Sequence, residues 1–86
     1  MTILSHNQVQ WATRRGTLEL DLLLMPFAKD CYPMLQDAEK AEFCALLEQK
    51  DELLSEWLLM GDTKGLRQER CALIEKILSY VANNIS

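Results

Sequence analysis

Residues 14–27 read RRGTLELDLLLMPF, and the fold class depends on whether they form a strand or a helix. Leucines alternate with acidic residues from Leu18 to Leu22, and this period of two is typical of a half-buried β-strand. No other segment offers a convincing partner strand, and an unpaired strand would leave its backbone polar groups without hydrogen bonds. We therefore predict a helix over about residues 18–31, with a kink or an irregular turn at Pro26.

The glycine of this stretch predicts a corner between two helices. Ser5 is suited to cap a first helix that runs to about Arg15 and carries few apolar residues. Gly16 then ends this helix in the left-handed conformation, which glycine adopts without a steric clash of Cβ. Thr17 is a suitable N-cap for the helix that follows.

The predicted helix over residues 18–31 has two apolar stripes on nearly opposite sides. The first stripe consists of Leu20, Leu23, Leu24, Phe27 and Cys31. The second consists of Leu18, Leu22 and Met25. Such a helix is either packed between other elements or has one side free for a partner. Because a small bundle needs its apolar residues for the core, we expect packing on both sides.

Two shorter helices are predicted in the middle of the chain. Asp37 is suited to cap a third helix over about residues 38–49. Asp51 is suited to cap a fourth helix over about residues 52–60, which Gly61 would end. Apolar residues recur along both segments at helical spacing, which indicates one buried face on each.

The fold class that follows is all-α. The pair Tyr32-Pro33 ends the second helix, because the residue before a proline disfavours helical geometry. The last helix is predicted over about residues 64–83, where apolar residues recur at i, i+3 and i+4. With 86 residues, the chain is expected to form one small domain, residues 1–86, built as a bundle of about five helices.

The charge distribution bears on the class of partner. The chain has a net charge of −4, with +2 in residues 1–16, −7 in residues 17–60 and +1 in residues 61–86. An acidic middle repels phosphate, so general binding of nucleic acid is not expected. The small basic spot near Arg15 beside an acidic body could steer one protein partner.

Neither a metal site nor a catalytic site is predicted. Cys31, Cys44 and Cys71 form no CxxC motif, and the single His6 is far from all three. We expect buried free thiols in a reducing cytoplasm rather than zinc ligands or disulfides. His6 lies in a polar stretch without a partner for general acid–base chemistry, and is expected to be solvated.

Other charged residues are expected to form solvated helix faces. They are the carboxylate pairs Glu39/Glu42 and Glu52/Glu56 and the cations Lys64, Arg67 and Arg70. Trp57 is expected in the core, although a tryptophan near a helix end can also anchor a contact.

Arg14-Arg15 also raises the possibility of a twin-arginine export signal. The apolar stretch after such a signal should be free of charge, but Glu19 and Asp21 interrupt it here. The uncharged run over residues 22–27 is far too short to span a bilayer. The expectation is therefore a cytoplasmic protein without membrane insertion.

The helix–glycine–helix corner is the candidate site. Arg15 would lie at the end of one helix and Glu19 in the first turn of the next, where the helix dipoles favour these charges. With Gly16 between them, they predict a small flat surface with one cation, one anion and exposed backbone. The candidate partner-binding residues are Arg14, Arg15, Gly16, Glu19 and Asp21.

RRGTLELD followed by LLLMPF resembles the RGxxE signature of the succinate dehydrogenase flavinylation and assembly factor family. The Arg, Gly and Glu of this signature fall on Arg15, Gly16 and Glu19. The resemblance covers about residues 8–61. Its later matching pieces are Leu46-Leu47-Glu48, Asp51, Leu54 and Trp57-Leu58.

This resemblance implies an assembly chaperone in the bacterial cytoplasm and not an enzyme. Members of the family help to attach FAD covalently to the flavoprotein subunit of succinate dehydrogenase, and in some bacteria of fumarate reductase. The bond joins a histidine of the partner to a methyl carbon of the flavin. Because the flavin itself supplies the electron sink, a helper need only position groups. FAD would end on the partner, with none bound stably by this chain.

Two other classes of function compete with this one. An antitoxin-like regulator would sequester another protein through a similar surface. A helix-turn-helix nucleic-acid binder is disfavoured by the acidic middle of the chain.

Overall fold

The computed structural model describes residues 3–84, in which five α-helices and one short 3₁₀ helix follow one another. The helices are α1 His6–Ala12, α2 Leu18–Asp30, the 3₁₀ helix Tyr32–Met34, α3 Asp37–Leu47, α4 Asp51–Leu58 and α5 Gln68–Asn84. The described part of the chain has no strand. The prediction of an all-α fold is confirmed, and so is the helix over the alternating leucines and acids.

Helix α1 begins where it was predicted and ends earlier. The hydroxyl of Ser5 accepts from the backbone N–H of Gln8, and the side chain of Gln8 accepts from the N–H of Ser5, which forms a capping box. The helix ends at Ala12 rather than near Arg15. Here the Thr13 hydroxyl donates to the carbonyl of residue 10 at 2.7 Å and competes with the helical pattern.

The caps of α3 and α4 lie one residue before the predicted positions. Gln36 is the N-cap of α3, and its backbone N–H donates to the carboxylate of Glu39 at 3.3 Å. Lys50 is the N-cap of α4. Asp37 and Asp51 lie instead inside the first helical turns, where the helix dipole favours an anion.

Helix α5 begins four residues later than predicted. The segment before it turns sharply, because the N–H of Leu66 donates to the carbonyl of Thr63 at 3.2 Å. Gly65 adopts a φ of 81° within this turn. Gly61 follows α4, which it was predicted to end, and it adopts the left-handed conformation with a φ of 72°.

The core is built around α2, which packs against α1, α4, α5 and the 3₁₀ helix. Each α-helix of the described chain contributes at least one fully buried side chain. They include Val9, Leu20, Leu24, Phe27, Phe43, Leu46, Leu54 and Ile77. The ring of Phe43 lies 5.4 Å from that of Phe27 and 5.8 Å from that of Tyr32, measured between centroids. Trp57 is buried as predicted.

The second stripe of α2 is not packed. Leu18 is 68% exposed and Leu22 is 58% exposed, while Met25 is half-buried. The expectation that both stripes are covered is therefore wrong. The bundle fills its core with the first stripe, and the beginning of α2 presents the second stripe to solvent.

Ion pairs join α3 to α5 and to the residue before it, although the residues that form these pairs were expected on solvated faces. Glu42 accepts from Arg67 at 2.9 Å and from Arg70 at 2.6 Å. The side chains of Glu42 and Arg70 are only 14% and 11% exposed, so the expectation that both are solvated is wrong. A hydrogen bond from Lys76 lowers the pKa of Glu39 and adds a second link between these helices.

The three cysteines are free thiols, but only Cys44 is buried. Cys31 and Cys71 are half-buried, which corrects the expectation of full burial. Residues 3–84 contain no group of histidine, cysteine and carboxylate side chains that could hold a metal ion. Within the same residues, each helix is too short or too polar to cross a membrane.

Candidate functional site

Gly16 forms the corner between α1 and α2. Its φ of 82° lies in the left-handed region, as predicted from the sequence. A Cβ placed on Gly16 would meet no atom of the described chain within 4 Å. The corner therefore faces open space, and the backbone there can be approached closely.

Arg15 does not lie on this surface, which corrects the expectation of an exposed cation. Its side chain is 16% exposed, and its Nε donates to Oδ1 of Asp51 at 2.9 Å. Its Nη1 donates to the carbonyl of Leu47 at 2.6 Å and, more weakly, to that of Ala12 at 3.2 Å. Its Nη2 donates to the carbonyl of Gln49 at 2.7 Å.

These contacts give Arg15 an organising role. Ala12 ends α1 and Leu47 ends α3, and carbonyls at helix ends lack donors within their own helices. A guanidinium group offers five N–H donors in a fixed plane, which suits several acceptors at once. Arg15 thus ties the ends of α1 and α3 to the beginning of α4, where Asp51 lies.

Asp21 also points inward at the corner. Its Oδ1 accepts from the backbone N–H of Arg15 at 2.9 Å, and its side chain is half-buried. Glu19 is exposed and forms no ion pair within residues 3–84. Of the five candidate residues, Arg15 and Asp21 therefore build the corner, whereas Arg14, Gly16 and Glu19 are open to solvent.

Exposed apolar side chains flank the corner on both sides along the chain. Trp11 is 73% exposed, and the guanidinium of Arg14 lies 5.2 Å from the centre of its ring. Leu18 and Leu22 follow the glycine on α2. We use the name corner face for the exposed residues that adjoin the corner along the chain, namely Trp11, Arg14, Gly16, Leu18, Glu19 and Leu22. The exposure of Trp11 was not predicted from the sequence, although the scarcity of apolar residues on its helix was a signal.

His6 is not the solvated residue that was expected. It is half-buried, and its Nε2 lies 3.2 Å from the carbonyl oxygen of Ala28 and 3.0 Å from Nε2 of Gln10. The ring therefore joins α1 to the end of α2. The single histidine of the chain is therefore a structural link between two helices.

Comparison with known proteins places the chain in a family. A family model described as "Flavinator of succinate dehydrogenase" matches residues 7–81. A "FAD assembly factor SdhE" of Vibrio cholerae is 40% identical over 79 residues, which are 92% of this chain and 87% of the relative. A protein of the same name from Photobacterium profundum is 37% identical over 73 residues, 85% of this chain and 82% of the relative.

The match reaches further along the chain than the resemblance seen in the sequence. It extends through most of α5, whereas the recognisable motifs ended near residue 61. A third relative of the same name, from Shewanella oneidensis, is 42% identical over 59 residues, 69% of this chain and 72% of its own length. The chain belongs to the family of succinate dehydrogenase flavinators, as the RGxxE signature had indicated.

Proposed function

We propose that the chain is an assembly chaperone that binds the flavoprotein subunit of succinate dehydrogenase and promotes covalent attachment of FAD to it. Family membership carries this proposal, since the family model is described as a flavinator of that enzyme and the relatives are named FAD assembly factors. The word "assembly" in those names agrees with a helper rather than a catalyst.

The corner face is the proposed docking surface for the flavoprotein. Tryptophan and arginine are enriched among the residues that contribute most to binding at protein interfaces, and Trp11 and Arg14 are stacked there in the open. Leu18 and Leu22 add apolar area that the fold itself does not use. The open space above Gly16 allows a partner backbone to approach.

Arg15 and Asp21 support the corner face from within the fold. The Arg15 side chain fixes the corner to α3 and α4, and Asp21 holds the backbone N–H of the same residue. Both are positioning residues in this proposal, because neither presents its charge to a partner. The RGxxE signature then combines one residue that supports the corner with two that are open to the partner.

The proposed mechanism is positioning. The flavin supplies the electron sink for its own attachment, so the chaperone only has to favour the reactive geometry of the partner. A rigid corner with a tryptophan anchor can hold a partner domain in place without supplying a base or a nucleophile. On this proposal no FAD is bound stably by the chain, and fumarate reductase is a second candidate partner.

We place this activity in the bacterial cytoplasm, which agrees with the bacterial origin of the relatives. The acidic middle of the chain argues against nucleic acid as a partner.

A complementation experiment tests the proposal. Bacterial cells that lack their own copy receive this chain, and in-gel fluorescence reports covalent flavin on the succinate dehydrogenase subunit. The proposal predicts that flavinylation is restored and that the chain recovers the subunit in a pull-down. Unchanged flavinylation, with a toxin recovered instead, would favour the antitoxin-like alternative.

A further inference from the structure

A cleft of about 370 Å³ opens between α1 and α2 next to the corner face. Gln10 and Arg14 line it from the side of α1, and Met25, Pro26 and Lys29 line it from α2. Arg14 also belongs to the corner face, so the two surfaces are continuous. The volume is near the lower end of the roughly 300–1,000 Å³ that is typical of ligand pockets.

The cleft carries positive charge on an acidic protein. Arg14 and Lys29 are exposed, and neither forms an ion pair with another residue of the described chain. Asp30 also lines the cleft and accepts a hydrogen bond from the Tyr80 hydroxyl, so one carboxylate stands there against the two cations. The excess of positive charge can still attract a carboxylate from outside, although the whole chain has a net charge of −4.

The α2 side of the cleft offers apolar surface. Pro26 lies inside α2, is exposed and lines the cleft. Met25 is half-buried, and its flexible side chain adapts readily to an incoming apolar group.

Resting on the proposed function, we infer that the cleft receives a short segment of the flavoprotein subunit that carries a carboxylate next to an apolar side chain. The carboxylate pairs with Arg14 and Lys29, and the apolar side chain packs on Met25. Together these two contacts fix the orientation of the partner across the corner.

Charge reversal at Lys29 tests the inference. The dissociation constant for the flavin-free flavoprotein subunit is measured by calorimetry at low and at high salt, for the wild type and for Lys29→Glu. Because like charges placed against each other strongly oppose association, we expect binding about tenfold weaker or worse at low salt. The salt dependence of binding should also decrease, since an attractive charge pair is lost.

Lys64→Glu is the matched control. Lys64 is also exposed and does not line the cleft, so the same change in net charge should alter the dissociation constant less than about twofold. Lys29→Met keeps the apolar stem and removes only the charge, and its affinity should fall between those of the wild type and Lys29→Glu. Circular dichroism checks that each variant is folded.

The outcomes separate the two proposals. Wild-type affinity for Lys29→Glu, or an equal loss for Lys64→Glu, overturns the cleft inference and leaves the proposed function intact. Failure of the wild-type chain to bind the subunit, or to restore its flavinylation, overturns the proposed function itself.

Discussion

Arg15 and Asp51 lie 36 positions apart in the chain, and the Nε of one is 2.9 Å from Oδ1 of the other. The same guanidinium also donates to the carbonyl of Leu47, at the end of α3, and to that of Gln49, between α3 and α4. The arginine of the RGxxE signature is thus part of the fold, and the residues beside it carry the exposed chemistry.

Arg15→Ala should lower the free energy of unfolding by about 3 kcal/mol. The substitution removes the charged donor from the carbonyls of Leu47 and Gln49, and a hydrogen bond to a charged group contributes about 1.5–3 kcal/mol. Asp51 is 40% exposed and stays hydrated, so the loss of its cation adds little. Urea unfolding followed by circular dichroism measures the effect.

Arg14→Ala provides the control for this experiment. Arg14 is exposed and stacks on Trp11, and such a contact stabilises by less than about 1 kcal/mol. If Arg15→Ala unfolded at the wild-type urea concentration and lost only its binding, Arg15 would be a partner contact instead.

Glu19→Ala should mainly weaken binding to the flavoprotein, whereas Asp21→Ala should mainly destabilise the fold. Glu19 is exposed in the first turn of α2, where an acid contributes only about 0.3–1 kcal/mol to the helix. Its removal should weaken binding to the flavoprotein more than it destabilises the fold. Thermal unfolding and calorimetric titration of the same samples give both quantities.

Asp21→Ala should mainly lower the stability of the fold. It removes the acceptor from the Arg15 N–H at a half-buried position, which costs about 1–3 kcal/mol. A large loss of stability for Glu19→Ala with unchanged binding would reverse the assignment of the two acids.

Trp11→Ser should weaken binding without weakening the fold. Trp11 is 73% exposed, so its loss should change the unfolding free energy by less than about 1 kcal/mol, including the contact with Arg14. As an anchor of the interface it should contribute about 2 kcal/mol to binding, roughly a 30-fold change in affinity. Calorimetric titration with the flavoprotein subunit measures this.

Met60→Ser is the matched comparison for the tryptophan. Met60 is 76% exposed and lies after α4, outside the corner face. The affinity of the Met60→Ser variant for the flavoprotein subunit should remain close to that of the wild type. Equal losses of affinity for Trp11→Ser and Met60→Ser would show that exposed apolar area in general, and not the corner face, determines binding.

Local rules were enough for much of the fold. The side chain of Ser5 and the left-handed Gly16 and Gly61 behave as short-range chemistry requires, because capping and positive φ depend on a few neighbouring residues. The helix over Leu18–Asp30 followed from the absence of a partner strand. These features need no knowledge of distant contacts.

The misassigned charged side chains Arg15 and Glu42 depend on distant partners. Arg15 contacts residues 32 to 36 positions away, and Glu42 meets Arg70 across 28 positions. A helical wheel gives the spacing of charges on one helix, but not which helix packs beside it. The second stripe of α2 was misjudged for the same reason, since only the packing decides which apolar face stays open.

Comparing Gly16→Arg with Gly65→Arg shows whether the corner face docks on the flavoprotein. Both glycines have nearly equal positive φ, 82° and 81°, and neither Cβ would meet an atom of the described chain within 4 Å. Each substitution should therefore cost a similar 1–2 kcal/mol or so of backbone strain. In cells whose only copy is the variant, in-gel fluorescence of covalent flavin on the succinate dehydrogenase subunit should be lost for Gly16→Arg and kept for Gly65→Arg. Full flavinylation by Gly16→Arg, at equal protein levels, would show that the corner is not the docking surface.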